Sequence, residues 1–267
     1  RKRADIFILF PEGRVSPVQQ RQMTTVQADN VHALAIEGTF DDCQDMVKAM
    51  FADAEFRGEV GLSAVNSINW ARIMAQIVYY FWATLRLGAP DREIDFCVPT
   101  GNFGNVFAGY AAKQMGLPVG QLMVGSNRND ILTRFFENDD MSIQGVEPSL
   151  SPSMDIQISS NFERYLFDLL DRSGSATART MVDFRATGRM NVGQGGWEQA
   201  KRDFHAFALS DPKCLDAIRR WREKTGEVLD PHTVIGVEHA AQFGRPGVPA
   251  VALATAHPAK FPADIEQ

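Results

Sequence analysis

Residues 94–115 constrain the fold more than any other stretch. An apolar run, Ile94-Asp95-Phe96-Cys97-Val98, ends at Pro99-Thr100-Gly101-Asn102-Phe103-Gly104-Asn105, and a helix-like run follows from Val106 to Met115. A strand that breaks at glycines and restarts as a helix leaves free backbone N–H groups at the helix start. Those donors, with the helix dipole, make an anion site, most often for phosphate. The spacing is not the GxGxxG of dinucleotide folds, and no Gly-Lys-Ser/Thr follows as a Walker A loop requires. A nucleotide-binding oxidoreductase fits poorly for that reason. On spacing alone, phosphate binding and a packing turn are equal readings.

The flanking sequence has the rhythm of an α/β domain with a parallel sheet. Strands are expected at 6–10, 31–36, 94–98, 121–125 and 248–253, the first and last of them buried. Helices are expected at 41–56, 68–87, 106–115 and 130–136. Ser16-Pro17 reads as a helix N-cap with proline in the first turn, and Ser67 as the cap of the next long helix. That helix is apolar nearly all round, which predicts burial. Its polar positions, Asn69, Arg72, Gln76 and Tyr80, recur at helical spacing as one stripe. Residues 138–160 are rich in Ser, Pro, Asn and Asp and read as loop. Helical segments at 162–170, 178–184, 197–207 and 212–224 follow as an appendage, and a helix started by Asp230-Pro231-His232 and running to Gln242 leads into the last strand.

Composition narrows the function classes. The chain has 267 residues and a net charge of −6, which argues against a general nucleic-acid binder. No uncharged apolar stretch reaches membrane-spanning length, so no membrane partner is expected. Cys43, Cys97 and Cys214 lie far apart, which suits a reducing, cytoplasmic setting. The five histidines show no metal-binding spacing, so no metal is expected. The chain opens on Arg1-Lys2-Arg3 and runs at once into a strand, as if cut from something longer.

The wording of the glycine loop says more than its spacing. Pro-Thr-Gly-Asn-Phe-Gly-Asn resembles the phosphate loop of the threonine synthase family, pyridoxal-phosphate enzymes of fold type II (the tryptophan synthase β-subunit fold). Four further segments look like the same family, in family order: Phe10-Pro11-Glu12-Gly13-Arg14-Val15-Ser16-Pro17, Asn66-Ser67-Ile68-Asn69-Trp70-Ala71-Arg72, Ser151-Pro152-Ser153-Met154-Asp155, and Thr255-Ala256-His257-Pro258-Ala259-Lys260-Phe261. They are similar to its longer microbial and fungal form, and the resemblance runs nearly end to end.

The resemblance implies a three-layer α/β fold with a parallel sheet and a helical insertion. It implies part of a smaller α/β domain at 1–65, the large cofactor domain at 66–137, a loop and helical insertion at 138–229, and a return to the cofactor domain at 230–267. It implies pyridoxal 5′-phosphate as cofactor and a carbon–oxygen lyase acting on a phosphate ester: O-phospho-L-homoserine and water give L-threonine and phosphate. A monomer or homodimer is expected.

By the same resemblance, Gly101, Asn102, Phe103, Gly104 and Asn105 form the cofactor phosphate cradle. Thr255 stands near the pyridine nitrogen, where a hydroxyl suits a ring used without full positive charge. Asn69, Arg72, Ser153 and Asp155 are candidates for binding substrate, Arg72 as a bidentate phosphate clamp or as a structural ion pair, Ser153 and Asp155 as active-site loop residues or, the safer account, as ordinary loop polarity. His232 and His257 are ambiguous, and helix capping is the safer account of Asp230-Pro231-His232-Thr233. The family's Schiff-base lysine has no match here. Lys260 sits in a motif that lies late in the family's chain, so the lysine is expected upstream of Arg1 and the 267 residues alone are expected to be inactive. Two alternatives remain: another fold-type-II lyase such as a threonine dehydratase, and a non-catalytic threonine-synthase-like binder of phosphorylated ligands.

Overall fold

The computed structural model describes residues 4–66 and 68–262. Ser67, read above as a helix cap, lies outside them. In chain order the elements are β1 (Ile6–Pro11), α1 (Pro17–Thr24), β2 (Val31–Ile36), α2 (Phe40–Ala52), α3 (Ala54–Val60), α4 (Trp70–Arg86), β3 (Ile94–Pro99), α5 (Gly104–Gln114), β4 (Val119–Ser126), α6 (Ile131–Asn138), β5 (Met141–Ser142), α7 (Phe162–Leu169), α8 (Gly174–Thr187), β6 (Arg189–Met190), α9 (Gly193–Asp203), β7 (Phe204–Ala208), α10 (Asp211–Thr225), α11 (Thr233–Phe243) and β8 (Ala250–Ala252).

Four parallel strands in the order β7-β4-β3-β8 form the main sheet. All six residues of β3 are buried, as a central strand covered on both faces requires. Alternate residues serve opposite layers. Phe96, Val98, Leu122 and Val124 join one apolar cluster with Tyr80, Val106 and Phe103. On the other side α11 packs against β3, β4 and β8. Gly125 permits this approach: a Cβ there would stand 2.9 Å from Ile235 Cγ2. With α4 and α5 on one face and α10 and α11 on the other, the main sheet sits in three layers.

A buried carboxylate locks the entrance to β3. Asp95 is fully buried and accepts from Arg245 at 2.6 and 3.0 Å and from the Gln121 amide at 2.7 Å. A buried charge survives only when paired and hydrogen-bonded in this way.

Several elements depart from the sequence expectation. Helix 41–56 is two helices, because Asp53 turns extended and caps α3 by accepting from the Phe56 amide. Strand β1 pairs only with β2 and is half open, with Phe7 63% exposed, rather than buried. Helix α4 is not buried all round. Ile73, Ile77, Tyr80 and Thr84 face the core, while Met74, Val78, Trp82 and Leu85 are exposed. Asn69 caps α4, its side chain accepting from the Ala71 amide. The segment 138–229 is not purely a helical insertion. Helix α9 ends at Asp203, and Phe204–Ala208 forms β7, which pairs with β4 at the edge of the main sheet. Ser16 does cap α1, in a reciprocal capping box with Gln19, and Pro17 stands in the first turn.

Candidate active site

The order of the strands fixes where a ligand fits. From β3 the chain steps outward to β4 and β7, then returns to place β8 on the opposite side of β3. Such a reversal opens a crevice at the carboxyl ends of the strands flanking it. The glycine loop leaves the carboxyl end of β3, and residues 253–257 leave that of β8. Leu253 still bonds to the Cys97 carbonyl (2.9 Å), so the two exits stand side by side.

Neighbouring loops clasp the backbone of the glycine loop. Ser159 Oγ donates to the Gly101 carbonyl at 2.7 Å, and the Asn161 amide and Nδ2 donate to the Asn102 carbonyl at 3.0 and 3.1 Å. Phe103 adopts a left-handed conformation (φ 62°), and no side chain caps α5 behind it. Its ring is buried and packs edge-on against Phe162 and Phe204, each 5.3 Å away. The backbone turn is thus anchored by an aromatic plug. The uncapped first turn of α5 keeps its N–H groups and positive dipole end facing the crevice.

The two loop asparagines add to this donor set. Asn102 Oδ1 accepts from Gln44 Nε2 and Ser160 Oγ, both at 3.4 Å. Asn105 Oδ1 accepts from Tyr79 Oη at 2.5 Å and Tyr80 Oη at 3.0 Å. With both oxygens engaged, each carboxamide is left with its NH2 end, which can only donate. Burial pushes the Tyr79 phenol up to about 12, with Arg72 opposing. Burial, then Tyr79, pushes Tyr80 well above 10. Both hydroxyls therefore remain protonated donors. A helix start without a cap, glycines beside it and two donor-only amides are the chemistry a phosphate monoester requires.

The profile of the family described as pyridoxal-phosphate dependent enzyme matches residues 4–252. The chain belongs to the pyridoxal-phosphate dependent enzymes. It is 56% identical over 264 residues to the threonine synthase of Pseudomonas aeruginosa, covering 98% of this chain and 56% of that protein. It is 43% identical over 289 residues to that of Schizosaccharomyces pombe, again covering 98% of this chain and 56% of the relative. A crystal structure of PLP-bound threonine synthase from Brucella melitensis superposes with a TM-score of 0.89 at 53% identity, over 98% of this chain and 56% of that one. The chain thus spans a little over half the length of these relatives.

The donor set fits the phosphate of this family's cofactor, and fold type II accounts for the parallel sheet. The structure brings some of the expected residues to the crevice and gives others different work. Thr255 lies exposed in the segment leaving β8, beside the glycine loop's strand. The backbone of Ser153 and Met154 packs directly on Gly101, while the Ser153 side chain is exposed. Asp155 is a loop organiser: it accepts from Ser149 Oγ (2.6 Å), Asn127 Nδ2 (2.8 Å), Asn129 Nδ2 (2.9 Å) and the Ser149 amide (2.9 Å). Asn69 caps α4 by accepting from the Ala71 amide and donates to the Ala64 carbonyl. Arg72 is exposed on the side of α4 that carries Tyr79, and none of the salt bridges among the described residues includes it, against the structural ion-pair alternative.

At the start of α11, Asp230 accepts from the amides of His232 and Thr233 and from His232 Nδ1 (3.1 Å). Burial raises its carboxyl, but the bonds from His232 and Thr233 outweigh that and hold it below the usual range. Asp230 is the capping group, and His232 is held by it. Sequence reasoning missed Tyr79, Gln44 and the Ser159–Ser160–Asn161 clasp. The triplet's only signal was three small polar residues just before a helix.

Proposed function

We propose that this chain is the cofactor-holding part of a threonine synthase, which converts O-phospho-L-homoserine and water to L-threonine and phosphate. The observation that carries the reading is the donor-only loop at the crevice between β3 and β8, in a chain similar nearly end to end to threonine synthases. Gly101, Asn102, Gly104 and Asn105 would hold the cofactor phosphate with the first turn of α5. Phe103 serves through its backbone turn, with its ring in the core. When bound, pyridoxal phosphate supplies an electron sink for carbanions formed on the amino acid. Thr255, from the neighbouring strand exit, would offer a hydroxyl rather than a carboxylate to the cofactor ring, a partner that would not favour full ring protonation. Arg72 offers an exposed guanidinium fork to the substrate phosphate.

The covalent lysine partner is proposed to come from the full-length protein outside these residues. Among the described lysines, Lys48 pairs with Asp45, Lys113 donates to the Gly120 carbonyl, and Lys201 and Lys224 lie over tryptophan rings. Lys260 sits in a short turn whose carbonyl accepts from Ser16.

The deciding experiment gives the full-length protein O-phospho-L-homoserine and L-threonine in separate reactions. Phosphate and threonine formed together from the first support a synthase. Ammonia and an oxo acid from the second, with no phosphate from the first, would make it a dehydratase. No turnover of either would leave a non-catalytic binder.

A further inference from the structure

The geometry points to Tyr79 and Tyr80 as positioning residues of the phosphate cradle: they grip the Asn105 carboxamide by its oxygen and so present Nδ2 as a donor at the head of α5. The inference rests on reading the glycine loop as the cofactor phosphate site.

Tyr79 Oη donates to Asn105 Oδ1 at 2.5 Å. Tyr80 Oη reaches both the Asn105 carbonyl (2.8 Å) and Oδ1 (3.0 Å). Each phenol has one proton, and the Tyr79 proton finds its acceptor on Oδ1. The reversed amide would turn its NH2 group toward both hydroxyls and leave the Tyr79 proton without an acceptor on Asn105. The oxygen therefore faces α4, and Nδ2 faces away from it. Asn105 is only half-buried, so that nitrogen is accessible at the helix start.

The grip is itself supported. Tyr80 is fully buried, its ring 4.8 Å from Phe96 and 5.2 Å from Tyr79. Gly109, one turn beyond Asn105, leaves room for it: a Cβ there would stand 2.7 Å from Tyr80 Cε1. An asparagine on a first helical turn otherwise samples several rotamers, some of which bond back to the local backbone. Fixing one rotamer in advance removes that ordering cost from ligand binding.

The test uses the full-length protein as wild type, Tyr79→Phe, Asn105→Ala and the double variant. Tyr79→Phe removes one hydroxyl from a half-buried ring and leaves the packing. Three quantities are measured: the Kd of pyridoxal 5′-phosphate, the Kd of pyridoxal, which lacks the phosphate, and the 31P resonance of the bound cofactor. Tyr79→Phe is expected to weaken pyridoxal 5′-phosphate about tenfold, to leave pyridoxal unchanged, and to shift the 31P resonance. In the Asn105→Ala background the same change is expected to add no further loss. Equal weakening of both ligands would mean general loosening and would overturn the inference. So would wild-type affinity in Tyr79→Phe alongside a weakened Asn105→Ala, although the cradle reading would then stand. Wild-type affinity in Asn105→Ala would instead remove that residue from the cradle.

Discussion

A Cβ placed on Gly101 would stand 2.8 Å from the Ser153 carbonyl oxygen and 3.2 Å from Met154 Cα. The glycine loop and the 151–155 segment thus touch backbone to backbone. Gly101→Ala is expected to push that segment away and to loosen the cradle with it. The expected outcome is an overpacking cost of about 1–3 kcal/mol together with weakened cofactor binding. Denaturant titration and cofactor titration of the full-length variant check the two effects separately. Wild-type values in both would show that the contact relaxes freely.

Arg72→Ala is expected to raise the KM for O-phospho-L-homoserine at least tenfold in the full-length protein, since a bidentate charge-assisted pair with phosphate is lost. Cofactor binding should persist, because Arg72 caps no part of the glycine loop. Steady-state kinetics beside a cofactor titration read both, and unchanged kinetics would remove Arg72 from the site.

His205 Nδ1 and His239 Nε2 lie 2.7 Å apart between β7 and α11. Burial, then His205, lowers His239 to about 3, and burial lowers His205 as well. A folded-state pKa below the unfolded value of 6.5 means that the unfolded chain takes up protons first as pH falls. The neutral pair's contribution is fully present above about pH 6.5 and is lost as pH falls below it, at up to about 1.4 kcal/mol per pH unit for each proton that the unfolded chain binds first, down to about pH 3 for His239. His239→Leu should flatten the fall in urea midpoint between pH 7 and pH 4.5. An unchanged slope would assign the acid sensitivity to other groups.

Arg245→Met should destabilise the chain by about 3–5 kcal/mol, because it leaves the buried Asp95 carboxylate without its counter-charge. Arg245→Met combined with Asp95→Leu should recover much of that loss. Urea denaturation of the two variants makes the comparison, and additive losses would mean that the residues act independently.

The strand, glycine loop and second helix around the site were legible in the sequence because each has a local cause. Apolar residues run without interruption through β3, glycines break it, and Gly116 (φ 95°) stops α5. The capping box at Ser16 was equally local. What escaped depends on contacts far along the chain. β7 was hidden because the helical pattern of 197–203 continues smoothly into Phe204-His205-Ala206-Phe207, and only pairing with β4 makes the latter a strand. The exposed side of α4 could not be told from its buried side by composition, since both are apolar. Tyr79 escaped because only Tyr80 fell on the helical stripe. The ring of donors around the Asp155 carboxylate, from Asn127, Asn129 and Ser149, is likewise invisible in the sequence, because two of the three lie more than 25 residues away.

Tyr79 and Tyr80 are adjacent on one helix, yet both reach Asn105 on another. Successive helical residues diverge by about 100°, so a single amide meets both only at one rotation and one axial offset of α4 against α5. Inserting or deleting one residue between Asn69 and Tyr79 would carry both hydroxyls off target at once. The turn at residues 87–93 could change length without disturbing either bond. Natural variants of this chain are therefore expected to differ in length at that turn while keeping a constant count from the α4 cap to the tyrosine pair.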